Sequence, residues 1–339
     1  MIDATTVGEL FVLGFRGYRV PPWLRDFAAR HGLGGVLLFD YDVATRRAER
    51  NVESPAQLRT LCAEVAALPS RPLVLVDQEG GKVRRLKEAR GFAPLPSARA
   101  FNRLPPAERR ALARRAYAEL RALGVDINLA PVVDLDLNPD NPDIGAVERA
   151  YSADADAVRA NALLLAEVAR DCGLGLCLKH YPGLGGATTN SHDALTDLSA
   201  CLDETQLALF HELAPALPAQ AILVSHGIVA QWEPGVPVSM SPVALGALRQ
   251  RLPDALLLSD DLQMQGLQRR FASAEACRRG IAAGLDLLLL GNNLLDERAQ
   301  AADFAAGVAA AARQHPALGT LAAAALARVR ARKRQFGRA

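Results

Sequence analysis

Apolar residues in this chain come in short, unbroken runs. LFVLGF (10–15), GGVLLF (34–39), LVLVDQ (73–78), DINLAP (126–131), LGLCLKH (174–180), AILVSH (221–226), ALLLSD (255–260) and LDLLLLG (285–291) each place apolar side chains on consecutive positions. A strand exposed on one face would alternate; an unbroken run is how a strand buried on both faces reads, as in a parallel sheet covered by helices. The intervening segments read as those helices. Two examples are SPAQLRTLCAEVAAL (54–68) and PAERRALARRAYAELRALG (106–124), the second with proline in its first turn and glycine at its end. Eight strands alternating with helices predict an α/β fold, a (β/α)8 TIM-type barrel. A doubly wound open sheet is the alternative, but no G-x-G-x-x-G opens a helix after the first strand. The chain shows no internal repeat and no low-complexity linker. It is therefore expected to form a single domain over 1–339, with the Ala-rich stretch 300–330 as a C-terminal helix and a short basic tail.

A barrel presents its functional groups at the C-terminal ends of its strands. Here the third run ends in Asp77, the fifth in Lys179 and His180, the sixth in Ser225 and His226, and the seventh in Asp260 and Asp261. Charges gathered at the same end of several strands are hard to explain as packing, because an unpaired buried charge costs several kcal/mol. One of the two aspartates is expected to face the barrel mouth. A carboxylate there can act as nucleophile, base or metal ligand, which suits Asp260, while Asp261 suits helix capping. Lys179 and His180 can hold hydroxyl or carbonyl oxygens. Arg85 and Arg149 offer forked donors for vicinal hydroxyls or a carboxylate. After the fifth strand comes a Gly/Thr/Ser-rich loop, GLGGATTNSHD, that carries His192. A histidine exchanges protons near neutrality, and a loop that closes can bring it to a substrate while excluding water. His180, His192 and His226 with a carboxylate would suffice for zinc, but neither H-x-H nor H-E-x-x-H occurs, so no metal is expected.

Composition narrows the class. Half the residues are hydrophobic, 22% are charged and the net charge is +2, so neither a strong field for nucleic acid nor a disordered chain is indicated. The one dense basic run, RVRARKRQFGR (328–338), is read as the solvated end of the C-terminal helix. Five scattered cysteines point to a reducing compartment. No apolar run reaches the roughly 18 residues of a membrane span. The segment MIDATTVGELFVLGF lacks the basic start of a secretory leader. A cytoplasmic enzyme is the expectation, monomeric or weakly dimeric, with no cofactor, nucleic acid or membrane partner.

Taken together and in order, DQEGGKVRRL, NLAPVVDLDLNPDNPDIG, KHYPGLGG, NSH and LSDDLQM resemble the family 3 glycoside hydrolases, and within them the single-domain bacterial β-N-acetylglucosaminidases. Weaker similarity, as in GGVLLF and SPAQLRTL, extends across most of the chain. The resemblance implies a (β/α)8 barrel acting on a small carbohydrate, an N-acetylglucosaminide, in muropeptide recycling. It implies Asp260 as nucleophile, His192 as general acid/base, and Asp77, Arg85, Arg149, Lys179 and His180 as residues that hold the terminal sugar. Three positions depart from the family pattern. Asn190 stands where an aspartate usually supports the histidine, Leu184 replaces a polar residue in PGLG, and IGAVERAY carries two extra residues before Arg149. Because of Asn190, a glycoside phosphorylase and a catalytically impaired sugar-binding homologue are the alternatives to a hydrolase.

Overall fold

The structure is a computed structural model that describes residues 3–191, 194–294 and 300–338. Each of the eight apolar runs coincides, to within a residue at its C-terminal end, with one strand of a closed parallel barrel or contains it: β1 Phe11–Leu13, β2 Gly35–Leu38, β3 Leu73–Val76, β4 Ile127–Asn128, β5 Gly175–Tyr181, β6 Ala221–Val224, β7 Leu256–Asp261 and β8 Leu287–Leu290. The ring closes where β1 pairs with β8, Phe11 opposite Leu288 and Leu13 opposite Leu290. An open doubly wound sheet is thereby excluded. The two helices read from sequence are observed as Pro55–Ala66 and Pro106–Leu123. All five cysteines are free.

The runs are unbroken because each strand packs on both sides. Leu73, Leu75, Cys177, Leu256 and Leu258 belong to the cluster that fills the barrel interior. Val74, Val76, Leu176, Leu178 and Leu257 alternate with them and pack outward against helices. This two-residue period has a chemical consequence. Counting on from Leu75 reaches Asp77, from Cys177 reaches Lys179, and from Leu258 reaches Asp260. The alternation that fills the core thus aims these three polar side chains into the barrel mouth.

At the opposite end two expectations are corrected. The Ala-rich segment is not one helix but two, Ala301–Gln314 and Pro316–Gln335. Pro316 disfavours helical geometry at the residue before it, and His315 is extended. Nor is the basic tail a solvated helix end. Lys333, 2% exposed, donates to Glu9 at 2.8 Å and to the carbonyls of Leu33 and Ser70. Arg328 pairs with Asp286 at 2.8 Å and Arg338 with Asp126 at 3.0 Å. These carboxylates precede β1, β8 and β4, so the tail cations staple the bottom of the barrel, and Phe336 and Val329 close it from below. Among the described residues no helix is long and apolar enough to cross a membrane.

Burial alone would raise the Glu9 carboxyl, but Arg330 and Lys333 hold it below its ordinary value of 4.5. A depressed carboxylate stabilises the fold above its ordinary value and loses that contribution as pH falls through the depressed one. Glu9→Ala strands the Lys333 ammonium and should cost about 3–5 kcal/mol at neutral pH. Urea denaturation should show the gap to wild type narrowing below pH 4; a loss under about 1 kcal/mol at pH 7 would refute the staple.

Candidate active site

The barrel mouth holds a cavity of about 510 Å³. Its base is the top of the interior core, Leu37, Leu129, Leu223 and Leu289, and above this lies a belt of charge. Asp77, Arg85, Arg149, Lys179, His180 and Asp260 all line it, so the structure brings six of the eight residues singled out from sequence into one space. Of the other two, Asn190 lies on the loop after β5 beside Ser191, which also lines the cavity. His192 lies outside the described residues.

The segment after β3 turns back as a hairpin, Gln78–Gly80 against Val83–Arg84. Buried Gln78 pins it. Its side-chain amide donates to the Leu86 carbonyl and accepts from the Arg85 and Leu86 N–H groups, while its backbone exchanges two bonds with the Asn128 side chain. The turn places Asp77 and Glu79 on either side of Lys179, whose ammonium lies 2.7 Å from Asp77 and 2.5 Å from Glu79. Arg85 bonds Asp77 at 3.3 Å and lies over the Phe39 ring, 5.2 Å from its centre.

Arg149 comes from the long segment after β4. The segment before it runs as a turn in which Glu148 takes a positive φ of 59°, and the arginine lines the cavity. Its guanidinium is forked on Glu79 with two bonds of 2.8 Å and donates a third to the Asp143 carbonyl. It also donates to His180 Nε2 at 3.0 Å, while His180 Nδ1 donates to Asp134 at 2.7 Å. Arginine only donates and a carboxylate only accepts, so His180 is the neutral tautomer protonated on Nδ1. Both its ring nitrogens are committed to protein partners. So are those of His226, whose Nδ1 meets the Ser239 hydroxyl and whose Nε2 donates to the Asp261 carbonyl.

The charges tune one another. Burial would raise the carboxyls of Asp77 and Glu79. Lys179 and Arg85 hold Asp77 far below the usual carboxylate range, and Arg149 and Lys179 hold Glu79 at about 2. Burial would lower Lys179, yet Asp77 and Glu79 raise it. Asp77, Glu79, Lys179 and Arg149 are therefore ionised near neutral pH, and their charges cancel.

On β7, Asp260 takes the inward parity and accepts from the Asp261 N–H at 2.8 Å. The expectation that Asp261 caps a helix is corrected. Its carboxylate accepts from the N–H groups of Gln263 and Gly291, tying β7 to β8, and the short helix Gln265–Gln268 has Met264 at its N-cap. Burial pushes the Asp261 carboxyl up to about 7, and the neighbouring Asp260 adds to the rise.

Glu79, Asp134 and Asp143 were not singled out from sequence. Each stood inside a quoted motif, in DQEGGKVRRL or in NLAPVVDLDLNPDNPDIG, but nothing local distinguishes them from loop acids. Asp134 orients His180 and accepts the Leu184 N–H, and Leu184 itself lines the cavity. Asp143 accepts from the Ser191 N–H at 2.7 Å, tethering the β5 loop one residue before His192.

The chain is similar to known proteins over most of its length. Residues 7–314 match the sequence model described as the glycosyl hydrolase family 3 N terminal domain. A β-hexosaminidase of Thiobacillus denitrificans is 36% identical over 285 residues, 78% of this chain and 74% of that protein. One from Pseudomonas aeruginosa is 34% identical over 270 residues, 77% and 76% of the two chains. Among solved structures, a β-N-acetylhexosaminidase from Beutenbergia cavernae superimposes with a TM-score of 0.83 at 28% identity, covering 97% of each chain. NagZ from Neisseria gonorrhoeae, in complex with N-trifluoroacetyl-D-glucosamine, gives 0.72 at 25% identity, covering 94% of this chain and 98% of its own. With a match that runs from the first barrel strand to the first of the two C-terminal helices, this chain belongs to the glycoside hydrolases of family 3.

Proposed function

We propose that the protein is a retaining exo-β-N-acetylglucosaminidase, with Asp260 as nucleophile and His192 as general acid/base. The observation that carries this reading is the near-neutral belt of alternating donors and acceptors around one cavity. An anionic ligand would call for donors alone. A sugar hydroxyl both gives and takes a hydrogen bond, and neighbouring Lys179, Asp77, Arg149 and Glu79 offer both. The names of the relatives, β-hexosaminidase and β-N-acetylhexosaminidase, support an N-acetylated terminal sugar. Cell-wall muropeptides are the natural substrates we propose, and the enzyme acts as one domain in the cytoplasm.

The steps follow from these positions. Protonated His192 gives its proton to the glycosidic oxygen while the Asp260 carboxylate attacks the anomeric carbon, and the leaving alcohol departs. Water then attacks the glycosyl-aspartate, losing its proton to the now neutral His192, and Asp260 leaves. Two displacements at one carbon return the original configuration. Lys179, Asp77, Arg85 and Arg149 hold the sugar hydroxyls throughout.

Asp260→Ala should lower kcat by about 10³-fold or more with the fold intact. A variant keeping a tenth of the wild-type rate would remove Asp260 from the nucleophile role, whereas azide rescue giving an inverted glycosyl azide would support it. His192→Ala should slow aryl N-acetylglucosaminides with basic leaving groups by about 10²–10⁴-fold and those with acidic leaving groups much less. Equal losses across the series would exclude proton donation. Asn190→Asp should raise the pH at which the acid form of the enzyme is lost, because a carboxylate beside the imidazolium stabilises it. If Asp193 already supplies that charge, Asp193→Asn shifts the same limb downward and Asn190→Asp leaves it in place; a limb that neither variant moves shows that His192 is tuned by neither. Turnover with and without phosphate distinguishes hydrolysis from phosphorolysis, which would release the sugar 1-phosphate.

A further inference from the structure

The strand that carries Asp260 is irregular where it reaches the cavity. Leu258 pairs with Leu287 and Asp261 with Leu289, so β7 advances three residues, from 258 to 261, while β8 advances two, from 287 to 289. An extra residue on one strand of a pair is a bulge, and a bulge re-aims the side chains beside it. On its other edge β7 stays in register, Leu258 opposite Leu223 and Ser259 opposite Val224. A side chain closes the gap in the ladder: the Leu289 N–H donates to the Ser259 hydroxyl at 2.9 Å.

The bulge decides what Asp261 does. In an unbroken strand its side chain would follow Leu257 outward. Instead it lines the cavity together with Asp260, and its N–H donates to the Asp260 carboxylate at 2.8 Å. Asp261 is itself held at its carboxyl and at its carbonyl. Oδ1 accepts from the N–H groups of Gln263 at 3.0 Å and Gly291 at 3.2 Å. The carbonyl accepts from the Met264 N–H at 3.0 Å and from His226 Nε2 at 3.1 Å, and buried Ser239 lies 2.7 Å from His226 Nδ1. The fit against β8 is close: a Cβ on Gly291 would lie 2.4 Å from Asp261 Oδ2.

A nucleophile must be aimed. An aspartate at the wall of a cavity turns about χ1 and χ2, and a misplacement of about 1 Å can cost about 10²-fold in rate. Resting on the reading of Asp260 as nucleophile, we infer that Asp261 is its positioning residue: the bulge turns the Asp261 N–H onto the attacking carboxylate, and the bonds to Gln263, Gly291 and His226 hold that N–H in place. The two adjacent acids at this strand end have separate tasks, one to attack and one to aim.

Asp261→Ala removes the anchors to Gln263 and Gly291 and leaves Asp260 and the residues proposed to hold the sugar in place. For aryl β-N-acetylglucosaminides kcat/KM should fall about 10²-fold. The factor should be the same for acidic and basic leaving groups, because attack is impaired and proton donation is not. Asp261→Asn keeps the acceptor oxygen and should recover most of the loss. Affinity for N-acetylglucosamine, measured by calorimetry, should be unchanged in both variants. Gly291→Ala displaces the Asp261 carboxyl without deleting a polar group; it should show the same loss, independent of the leaving group, and it decides the question if Asp261→Ala does not fold. Wild-type kcat/KM in folded Asp261→Ala or Gly291→Ala, a loss that grows with leaving-group basicity, or an Asp261→Asn variant as slow as Asp261→Ala would overturn the inference and leave Asp260 as nucleophile. A wild type that hydrolyses no aryl β-glycoside, or an Asp260→Ala variant that keeps its rate, overturns the proposed mechanism and this role with it.

Discussion

An ammonium ion buried in a barrel mouth cannot stand alone, and the site is organised around that constraint. Lys179 is only 2% exposed. An uncompensated charge there would cost several kcal/mol, so two carboxylates must be brought to it. Asp77 arrives by strand parity. Glu79 arrives because the chain after β3 doubles back. Glu79 then takes the fork of Arg149, Arg149 meets His180, and His180 leans on Asp134. Three barrel segments are thus linked by one unbroken sequence of charge-assisted contacts, each of which explains the position of the next.

Pairing the lining cations Arg85, Arg149 and Lys179 in this way changes what the cavity presents. Bare lysine and arginine side chains would draw any phosphate or carboxylate. Neutralised ones offer fixed dipoles and directed hydrogen bonds, with little reorganisation left to make when an uncharged polyol enters. What the cavity presents is set by the arrangement of the charges and not by their number.

The barrel was legible in the sequence because its signal is periodic. Eight apolar runs yielded eight strands, and the same period carried Asp77, Lys179 and Asp260 inward. Long-range partnerships were not legible. Glu79 lies 70 residues from Arg149, and Asp134 lies 46 from His180. No local pattern marks an acid whose partner is so far away in the chain. The basic tail misled for the same reason: Arg328, Lys333 and Arg338 read as a solvated helix end until Asp286, Glu9 and Asp126 are seen beneath the barrel. The helix break at His315 was written locally, in the proline that follows, but the alanine-rich composition around it hid the signal.

The staple beneath the barrel also sets an order of events during synthesis. Glu9 and Lys333 are separated by 324 positions. At the about 5–20 residues per second of a translating ribosome, Glu9 waits on the order of 15–65 s for its counter-ion to be made. The ring is in the same position, because β1 pairs with β8, which is among the last strands to emerge. For most of that interval the nascent sheet has two open edges and an uncovered base, so the growing chain relies on its already completed βα units, and on whatever shields exposed strand edges in the cell, until the final helix docks.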